Sequence, residues 1–293
     1  MADSSQISLT VAPCGAELTG LRRAGKDYMW NADKRFWGRV APILFPAVGR
    51  PAEDTLRIGG KAFSMRQHGF ARDVDFERVA GNADGSGLWR YVQTEPRDNY
   101  PYRFTLEAAY VLEGDTVSCR WTVRNDDTET MYFQIGAHPA FLLPDFREND
   151  AIHGYIRCFD QAGNAFVPKM RSTLEDGLRV SIAPTPVPTD EDGLIVLTDT
   201  TWKNDAFIIE DGAVSAAALL DKNKREVLRV ACPQAEAFGL WAPFKPGCPF
   251  VCLEPWCGIA DRSGFTGDIS QRDCIHALAP GEEFLFRYDI VIK

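Results

Sequence analysis

Apolar and polar residues alternate along several short segments of the chain. From Arg103 to Leu112 every second residue is apolar, at positions Phe104, Leu106, Ala108, Tyr110 and Leu112. This period of two is typical of a β-strand with one buried face and one solvated face. The segment Glu113-Gly114-Asp115 favours a turn, and the alternation resumes from Thr116 to Arg124. The pattern therefore predicts an antiparallel hairpin.

The C-terminal segment shows the same alternation. From Glu283 to Ile292 every second residue is apolar, directly after a turn sequence at Ala279-Pro280-Gly281. No segment has a sustained period of 3.6 residues, and the 24 glycines and 18 prolines separate many short apolar runs. These features favour an all-β sandwich or barrel over alternating strands and helices.

The 293 residues contain no internal repeat and no low-complexity tract, and residues 1–293 are expected to form a single domain. A long excursion from the sheets is expected between about Asp145 and Pro188. Within it the proline-rich stretch 183–190 favours an extended surface loop.

Charge and hydropathy limit the classes of partner. The 32 basic and 41 acidic residues give a net charge near −9, and no basic run is long enough to follow a phosphate backbone. Nucleic acid and anionic membranes are therefore disfavoured. No stretch approaches 18 consecutive apolar residues, and Met1–Gln6 lacks the start of a secretory signal. We expect a soluble cytoplasmic protein.

The eight cysteines do not form a recognisable metal motif. Cys248, Cys252 and Cys257 are close in sequence, but no companion cluster follows at the spacing of a zinc site. Cysteine commonly packs as a small apolar residue. The sequence therefore predicts buried free thiols, with neither a metal nor a cofactor.

Three short segments each contain one residue suited to proton transfer. They are Gln67–Asp73 with His68, Gly136–Phe141 with His138, and Cys252–Trp256 with Glu254. Two imidazoles and one carboxylate can move protons at neutral pH without a metal or cofactor.

Each of these residues has a functional and a structural interpretation. Pro139 restricts His138 to extended backbone at the end of a predicted strand. His138 could act there as a general acid, or it could be a structural histidine bonded to a backbone carbonyl group. His68 lies in a loop beside Arg72, which could bind hydroxyl groups or a phosphate, or could pair with a nearby aspartate on a solvated turn. Glu254 lies in an apolar run, where burial would raise its pKa toward that of a general base. The alternative is an edge-strand carboxylate that faces solvent.

These segments, in this order, resemble the aldose 1-epimerase (galactose mutarotase) family and its LacX-like branch over nearly the whole chain. The resemblance also rests on Cys14–Leu18, Trp37–Arg50, Lys203–Phe207 and Cys257–Asp261. It implies a large antiparallel β-sandwich that binds a sugar in a cleft on one sheet.

The resemblance also implies roles for individual residues. Glu254 would be the general base, His138 the general acid and His68 a second histidine that binds and polarises the substrate. Arg50 matches the sugar-binding arginine, and Asp205 the aspartate that binds hydroxyl groups.

The expected activity is interconversion of the α and β anomers of a hexose, in carbohydrate metabolism. Trp256, and also Trp37 or Phe70, could cover the apolar face of the sugar or could be ordinary core residues. One alternative is a hexose 6-phosphate mutarotase, in which Arg72 with Arg50 or Lys203 holds the phosphate. The other is a non-catalytic carbohydrate-binding or regulatory protein of the same fold. The sequence does not specify the sugar or the oligomeric state.

Overall fold

The structure is a computed structural model that describes residues 7–293. The expectation about a secretory signal rests on Met1–Gln6, which lies outside the described residues. In chain order the strands are β1 (Ile7–Val11), β2 (Leu18–Arg23), β3 (Lys26–Asp27), β4 (Ile43–Leu44), β5 (Thr55–Ile58), β6 (Lys61–Ser64), β7 (Glu77–Gly81), β8 (Gly87–Gln93), β9 (Phe104–Glu113), β10 (Thr116–Asn125), β11 (Met131–Phe133), β12 (Ile135–Ala137), β13 (Ala140–Leu142), β14 (Gly154–Phe159), β15 (Ala165–Phe166), β16 (Lys169–Glu175), β17 (Leu178–Pro186), β18 (Ile195–Leu197), β19 (Phe207–Ile209), β20 (Ala216–Leu220), β21 (Glu226–Ala231), β22 (Ala237–Trp241), β23 (Phe250–Cys257), β24 (His276–Leu278) and β25 (Glu283–Ile292). Three short 3₁₀ helices span Ala52–Asp54, Ala71–Asp73 and Ile269–Gln271.

Two antiparallel sheets dominate this fold. The larger has ten strands, in the order β15-β14-β20-β21-β25-β10-β9-β8-β7, with β18 also paired to β14. The smaller has six, in the order β19-β22-β23-β12-β4, with β13 also paired to β23. One apolar core contains residues of both sheets, including Leu106 and Val117 of the larger and Ile135 and Leu253 of the smaller. The predicted all-β sandwich is confirmed.

The two predicted alternating segments form strands. β9 and β10 pair as a hairpin from Phe104 opposite Asn125 to Glu113 opposite Thr116. β25 pairs with β10 on its other edge, so these three strands lie side by side within the larger sheet. The alternation has a direct cause, since the apolar positions of β9 and β10 face the shared core.

The region between Asp145 and Pro188 departs less from the sheets than the sequence indicated. Its strand β14 pairs with β20 inside the larger sheet. Only the hairpin of β16 and β17 forms a separate two-stranded sheet. Residues 183–186 of the proline-rich stretch form the exposed end of β17, where the missing N–H groups of proline are tolerated, and the stretch continues past the strand to Asp190.

All eight cysteines are free thiols. Five are buried, but Cys14 is exposed and Cys248 and Cys274 are half-buried, so the prediction of buried thiols holds for most of them. Among residues 7–293, no helix is long and apolar enough to cross a membrane.

Candidate active site

Strand β23 places two side chains of the candidate site. It is the third strand of the smaller sheet, and all of its residues are buried. Residues two apart along a strand share a face. Glu254 and Trp256 consequently line a cavity on one side of the sheet, whereas Leu253 and Cys257 belong to the core on the other side.

Two glycines on the neighbouring strands make room for the Trp256 side chain. Gly136 of β12 pairs with Trp256, and Gly239 of β22 pairs with Glu254. A Cβ atom added at Gly136 would lie 2.7 Å from the Trp256 indole, and one added at Gly239 would lie 2.6 Å from it. Both distances are shorter than van der Waals contact, so the indole occupies space that a side chain at either glycine would fill.

His138 lies beside Glu254 because β12 and β23 are paired. It follows the last residue of β12, and its Nε2 atom is 3.2 Å from Oε2 of Glu254. Both side chains are buried. The contact is close, but its angles do not make it a hydrogen bond. Among the described residues, Glu254 Oε2 and His138 Nδ1 have no hydrogen-bond partner.

A reciprocal pair of hydrogen bonds with Gly49 fixes the orientation of His68. The backbone N–H of Gly49 donates to His68 Nδ1 at 3.1 Å, and the backbone N–H of His68 donates to the Gly49 carbonyl at 2.9 Å. Nδ1 is therefore an acceptor, and neutral His68 carries its proton on Nε2. The ring stands edge-on to His138, with 5.6 Å between the ring centroids.

Two tryptophans enclose His138. Trp37 stacks on its imidazole with ring centroids 4.6 Å apart, and Trp241 meets it edge-on at 5.6 Å. Phe70, in contrast, packs in the apolar core against Tyr100 and Phe104. The contacts with Trp37 and Trp241 restrict the His138 ring to one orientation.

The three proton-transfer residues meet in one cavity of about 350 Å³, which is within the size range of small-molecule sites. It is lined by Trp37, Gly49, Gln67, His68, Arg72, His138, Leu174, Gly177, Asp205, Ala206, Ile208, Trp241, Glu254, Trp256 and Ala260. The mixture of aromatic surface and convergent polar groups suits a small polar ligand.

Arg72 and Asp205 also line this cavity. Arg72 donates from Nη2 to the Gln67 carbonyl at 2.6 Å, whereas its buried Nε has no partner among residues 7–293. Burial, with the nearby Arg39 charge, lowers the pKa of Arg72 to about 10, so it remains cationic at neutral pH. Asp205 is exposed, and its Oδ1 accepts from the backbone N–H of Ala206 at 2.8 Å.

Arg50 does not line the cavity. Its Nε and Nη2 atoms donate to Asp54 at 2.9 and 2.8 Å, and its Nη1 atom donates to the Asp176 carbonyl at 2.9 Å. The preceding residue, Gly49, reaches the cavity instead. The position expected from the resemblance is thus one residue from the cavity wall.

Sequence reasoning did not select Gln67 and Trp241 as site residues. Gln67 directly precedes His68, and its side-chain amide lies 3.3 Å from His68 Nε2, so proximity in the motif could have indicated it. Trp241 reaches the cavity through pairing of β22 with β23, where it lies opposite Cys252. No local pattern marks that pairing.

Burial dominates the electrostatics of the site. It raises the pKa of Glu254 well above its usual range, and the Asp205 charge adds to this effect while the Trp256 indole opposes it. Burial lowers the pKa of His138 to about 3, although a backbone hydrogen bond works in the opposite direction. Burial also lowers the pKa of His68 well below its usual range, with the His138 and Arg72 charges as further causes. Near neutral pH both imidazoles are therefore neutral, and burial favours the protonated form of Glu254.

A glutamate base and a histidine acid would instead require an ionised Glu254 and a protonated His138 before the reaction. The pair holds one proton in either case, on Glu254 or on His138, and the two states differ only in the position of that proton across 3.2 Å. Cys252 has its sulfur within 4.8 Å of both groups, and burial, followed by the Glu254 charge, raises the pKa of this thiol well above its usual range. It is consequently a neutral neighbour. The pair can donate one proton and accept another.

The sequence profile of the aldose 1-epimerase family matches residues 1–290. The plasmid-encoded protein LacX of Lactococcus lactis subsp. lactis is 29% identical over 289 residues, which cover 95% of this chain and 94% of LacX. A galactose mutarotase related enzyme from Lactobacillus acidophilus is 30% identical, with a TM-score of 0.88 over 99% of this chain and 96% of its own. A galactose mutarotase-like protein from Lactobacillus casei is 27% identical, with a TM-score of 0.88 over 99% and 98% of the two chains. The chain belongs to the aldose 1-epimerase family.

Proposed function

We propose that the protein is a mutarotase that interconverts the α and β anomers of a free hexose by opening and closing the pyranose ring. The contact of His138 with Glu254, in a cavity that also contains His68, carries this proposal. Ring opening needs one group to take the O1 proton and another to protonate the ring oxygen O5. It changes no oxidation state, so proton-transfer groups alone supply the chemistry.

Sugar binding prepares the pair for its first step. The buried Oε2 of Glu254, which has no partner among residues 7–293, accepts a hydrogen bond from the O1 hydroxyl group of the sugar. A hydrogen bond to a carboxylate favours its ionised form. A small rotation of the carboxyl on binding aligns it with His138 Nε2, 3.2 Å away, and the Glu254 proton then passes to His138. His68 donates from Nε2 to a sugar oxygen, because its Nδ1 accepts from Gly49.

The chemical step moves two protons. Glu254 takes the proton of O1, protonated His138 gives its proton to O5, the C1–O5 bond breaks, and a C1=O1 double bond forms. After rotation about the C1–C2 bond, Glu254 returns a proton to O1, His138 takes one from O5, and the ring closes on the other face of C1. Both residues regain their initial protonation states.

Several side chains of the cavity suit a neutral sugar. Trp256, Trp37 and Trp241 offer apolar surface to the C–H groups of a pyranose. Arg72 and Asp205 offer a donor and an acceptor to its hydroxyl groups. The substrate partner is thus a small sugar, and the cytoplasm, where sugar phosphorylation and breakdown begin, is the proposed location.

Polarimetry tests this function directly. Freshly dissolved α-glucose and α-galactose are expected to reach their equilibrium rotation faster with the protein than in buffer alone. Equal rates with and without protein, for these and other common hexoses, would contradict the proposal.

A hexose 6-phosphate mutarotase is the second candidate, favoured by the free buried Nε of Arg72. Arg72 is, however, the only arginine or lysine that lines the described cavity, and Asp205 and Glu254 share that lining. Phosphate recognition commonly uses several cations. Faster catalysed anomerisation of glucose 6-phosphate than of glucose would favour this candidate.

A further inference from the structure

A second group of chemically reactive side chains lies outside the sugar cavity. Glu236 precedes β22, Cys257 ends β23 and His276 begins β24. One carboxylate oxygen, the thiol sulfur and one imidazole nitrogen of these residues all lie within 4.8 Å of one another. Three segments that are distant in sequence thus bring together three different potential metal ligands.

The spacing of two of these groups already matches that of metal ligands. Nε2 of His276 is 3.3 Å from Oε2 of Glu236. Zinc bonds of about 2.0–2.1 Å to nitrogen and oxygen, at tetrahedral angles, place such ligand atoms about 3.3 Å apart. Binding would also need the Cys257 thiol, which donates to the Gln234 carbonyl at 3.3 Å, to turn towards the ion.

An ion would reach this group from the surface. Glu236 lines a cavity of about 470 Å³ beside it, and Cys274 lies on the wall of the same cavity without being one of the three clustered groups. A water molecule from this cavity would supply a fourth ligand.

The surroundings would orient the ligands. Phe133 and Phe284 pack against the His276 ring with centroids 5.6 and 4.5 Å away. The side-chain amide of Gln234 points its Nε2 atom at the Cys257 sulfur from 3.9 Å. Such outer contacts typically fix ligand orientation and stabilise a thiolate.

We propose that Glu236, Cys257 and His276 bind one divalent cation of the zinc class, with a water molecule as the fourth ligand. The Cys257 thiol releases its proton to solvent as it becomes a thiolate, and the carboxylate, the neutral imidazole and the water complete a tetrahedral set. The ion would join the segment before β22, the end of β23 and the start of β24. Since β23 also carries Glu254 and Trp256, the ion stabilises the strand behind the sugar cavity.

Titration of the chelator-treated full-length protein with Co²⁺ and Zn²⁺ tests this site. One Co²⁺ per chain is expected, with the intense visible bands of tetrahedral cobalt and a thiolate-to-metal charge-transfer band, and Zn²⁺ displaces it. His276→Asn and Glu236→Gln should each weaken binding by at least about 10-fold, while Cys257→Ser should abolish the charge-transfer band. Cys14→Ser, which removes an exposed thiol elsewhere, should leave the titration unchanged.

Two further comparisons make the test decisive even where a variant folds poorly. Zn²⁺ at about 100 times its Kd should raise the Tm of the native sequence by about 5 °C and leave that of His276→Asn unchanged. Cys252→Ser removes the buried thiol beside Glu254 and His138 and should still bind one ion. Absence of stoichiometric binding, full binding by His276→Asn, or loss of binding in Cys252→Ser would each overturn the proposal. None of these readouts depends on sugar turnover.

Discussion

Oε2 of Glu254 lies 3.2 Å from Nε2 of His138, and pairing between β12 and β23 creates this contact. Both groups are buried in an apolar setting, where the ionised form of each is disfavoured. Their proximity gives one shared proton a short path between them. The predictions below examine what this pair and its neighbours contribute.

Replacing Glu254 with glutamine should reduce kcat by about 100- to 10,000-fold, because the amide cannot take the O1 proton. The size and shape of the side chain remain, so sugar affinity should change little. Polarimetry gives turnover, and calorimetry gives binding. Glu77→Gln, an exposed change on β7, is the matched control and should retain full activity. Near-normal turnover of Glu254→Gln would remove this residue from the base role.

The pH dependence should show a wide plateau. The pair holds one proton between the pKa of His138, about 3, and the raised pKa of Glu254. Below this range His138 takes up a second proton, and above it Glu254 loses the only one, so kcat/KM for the free protein should fall on both sides. Initial rates from pH 3 upward measure the profile. An acid limb near pH 6.5, the usual pKa of histidine, would contradict this assignment.

The Glu254 carboxyl should make the fold less stable as pH rises. Below its unfolded pKa of about 4.3 the residue is protonated in both states. Above that pH the unfolded chain ionises while the folded chain stays protonated, and each further pH unit costs about 1.4 kcal/mol until the raised folded pKa is reached. Glu254→Gln lacks this loss. Its gain in Tm over the native sequence should therefore grow from pH 4 to pH 7 in thermal scans, and a constant difference would contradict the prediction.

The room that glycine leaves for Trp256 can be tested at Gly239. A Cβ there would lie 2.6 Å from the indole, so Gly239→Ala should cost about 1–3 kcal/mol and displace the tryptophan into the sugar cavity. Lower Tm, raised KM and altered tryptophan fluorescence are the expected results. At Gly38 the same added atom would meet only ordinary contact, at 3.5 Å, so Gly38→Ala is the control. Equal behaviour of the two variants would show that Trp256 can move without loss.

The sequence predicted those parts of the molecule that leave a local trace. The hairpin of β9 and β10 and the last strand were predictable because one face of each packs in the core and imposes a period of two. His68, His138 and Glu254 could be selected because few other residue types transfer protons near neutral pH. Their convergence agrees with the expectation of one cavity, while their catalytic roles stay a prediction.

The remaining features depend on pairing between distant segments. Trp241 reaches the cavity only through its register opposite Cys252, which no local spacing encodes. The inclusion of β14 in the larger sheet likewise depends on its partner β20, about sixty residues later along the chain. The raised pKa of Glu254 follows from burial that only the folded sheets produce.

Arg72 and Arg50 offer the sharpest comparison between motif and structure. The resemblance assigns sugar binding to Arg50, but its guanidinium group binds Asp54, whereas Arg72 lines the cavity with an Nε that has no partner among residues 7–293. Loss of a charged donor typically costs about 1.5–3 kcal/mol, so Arg72→Gln should raise KM by about 10-fold or more. Arg50→Gln should leave KM within about twofold, because Arg50 does not line the cavity and its partly exposed pair with Asp54 contributes little. Steady-state polarimetry on both variants measures the difference between their KM values. A large KM effect from Arg50→Gln alone would mean that the sugar draws Arg50 away from Asp54, and that the family motif identifies the binding arginine better than this cavity does.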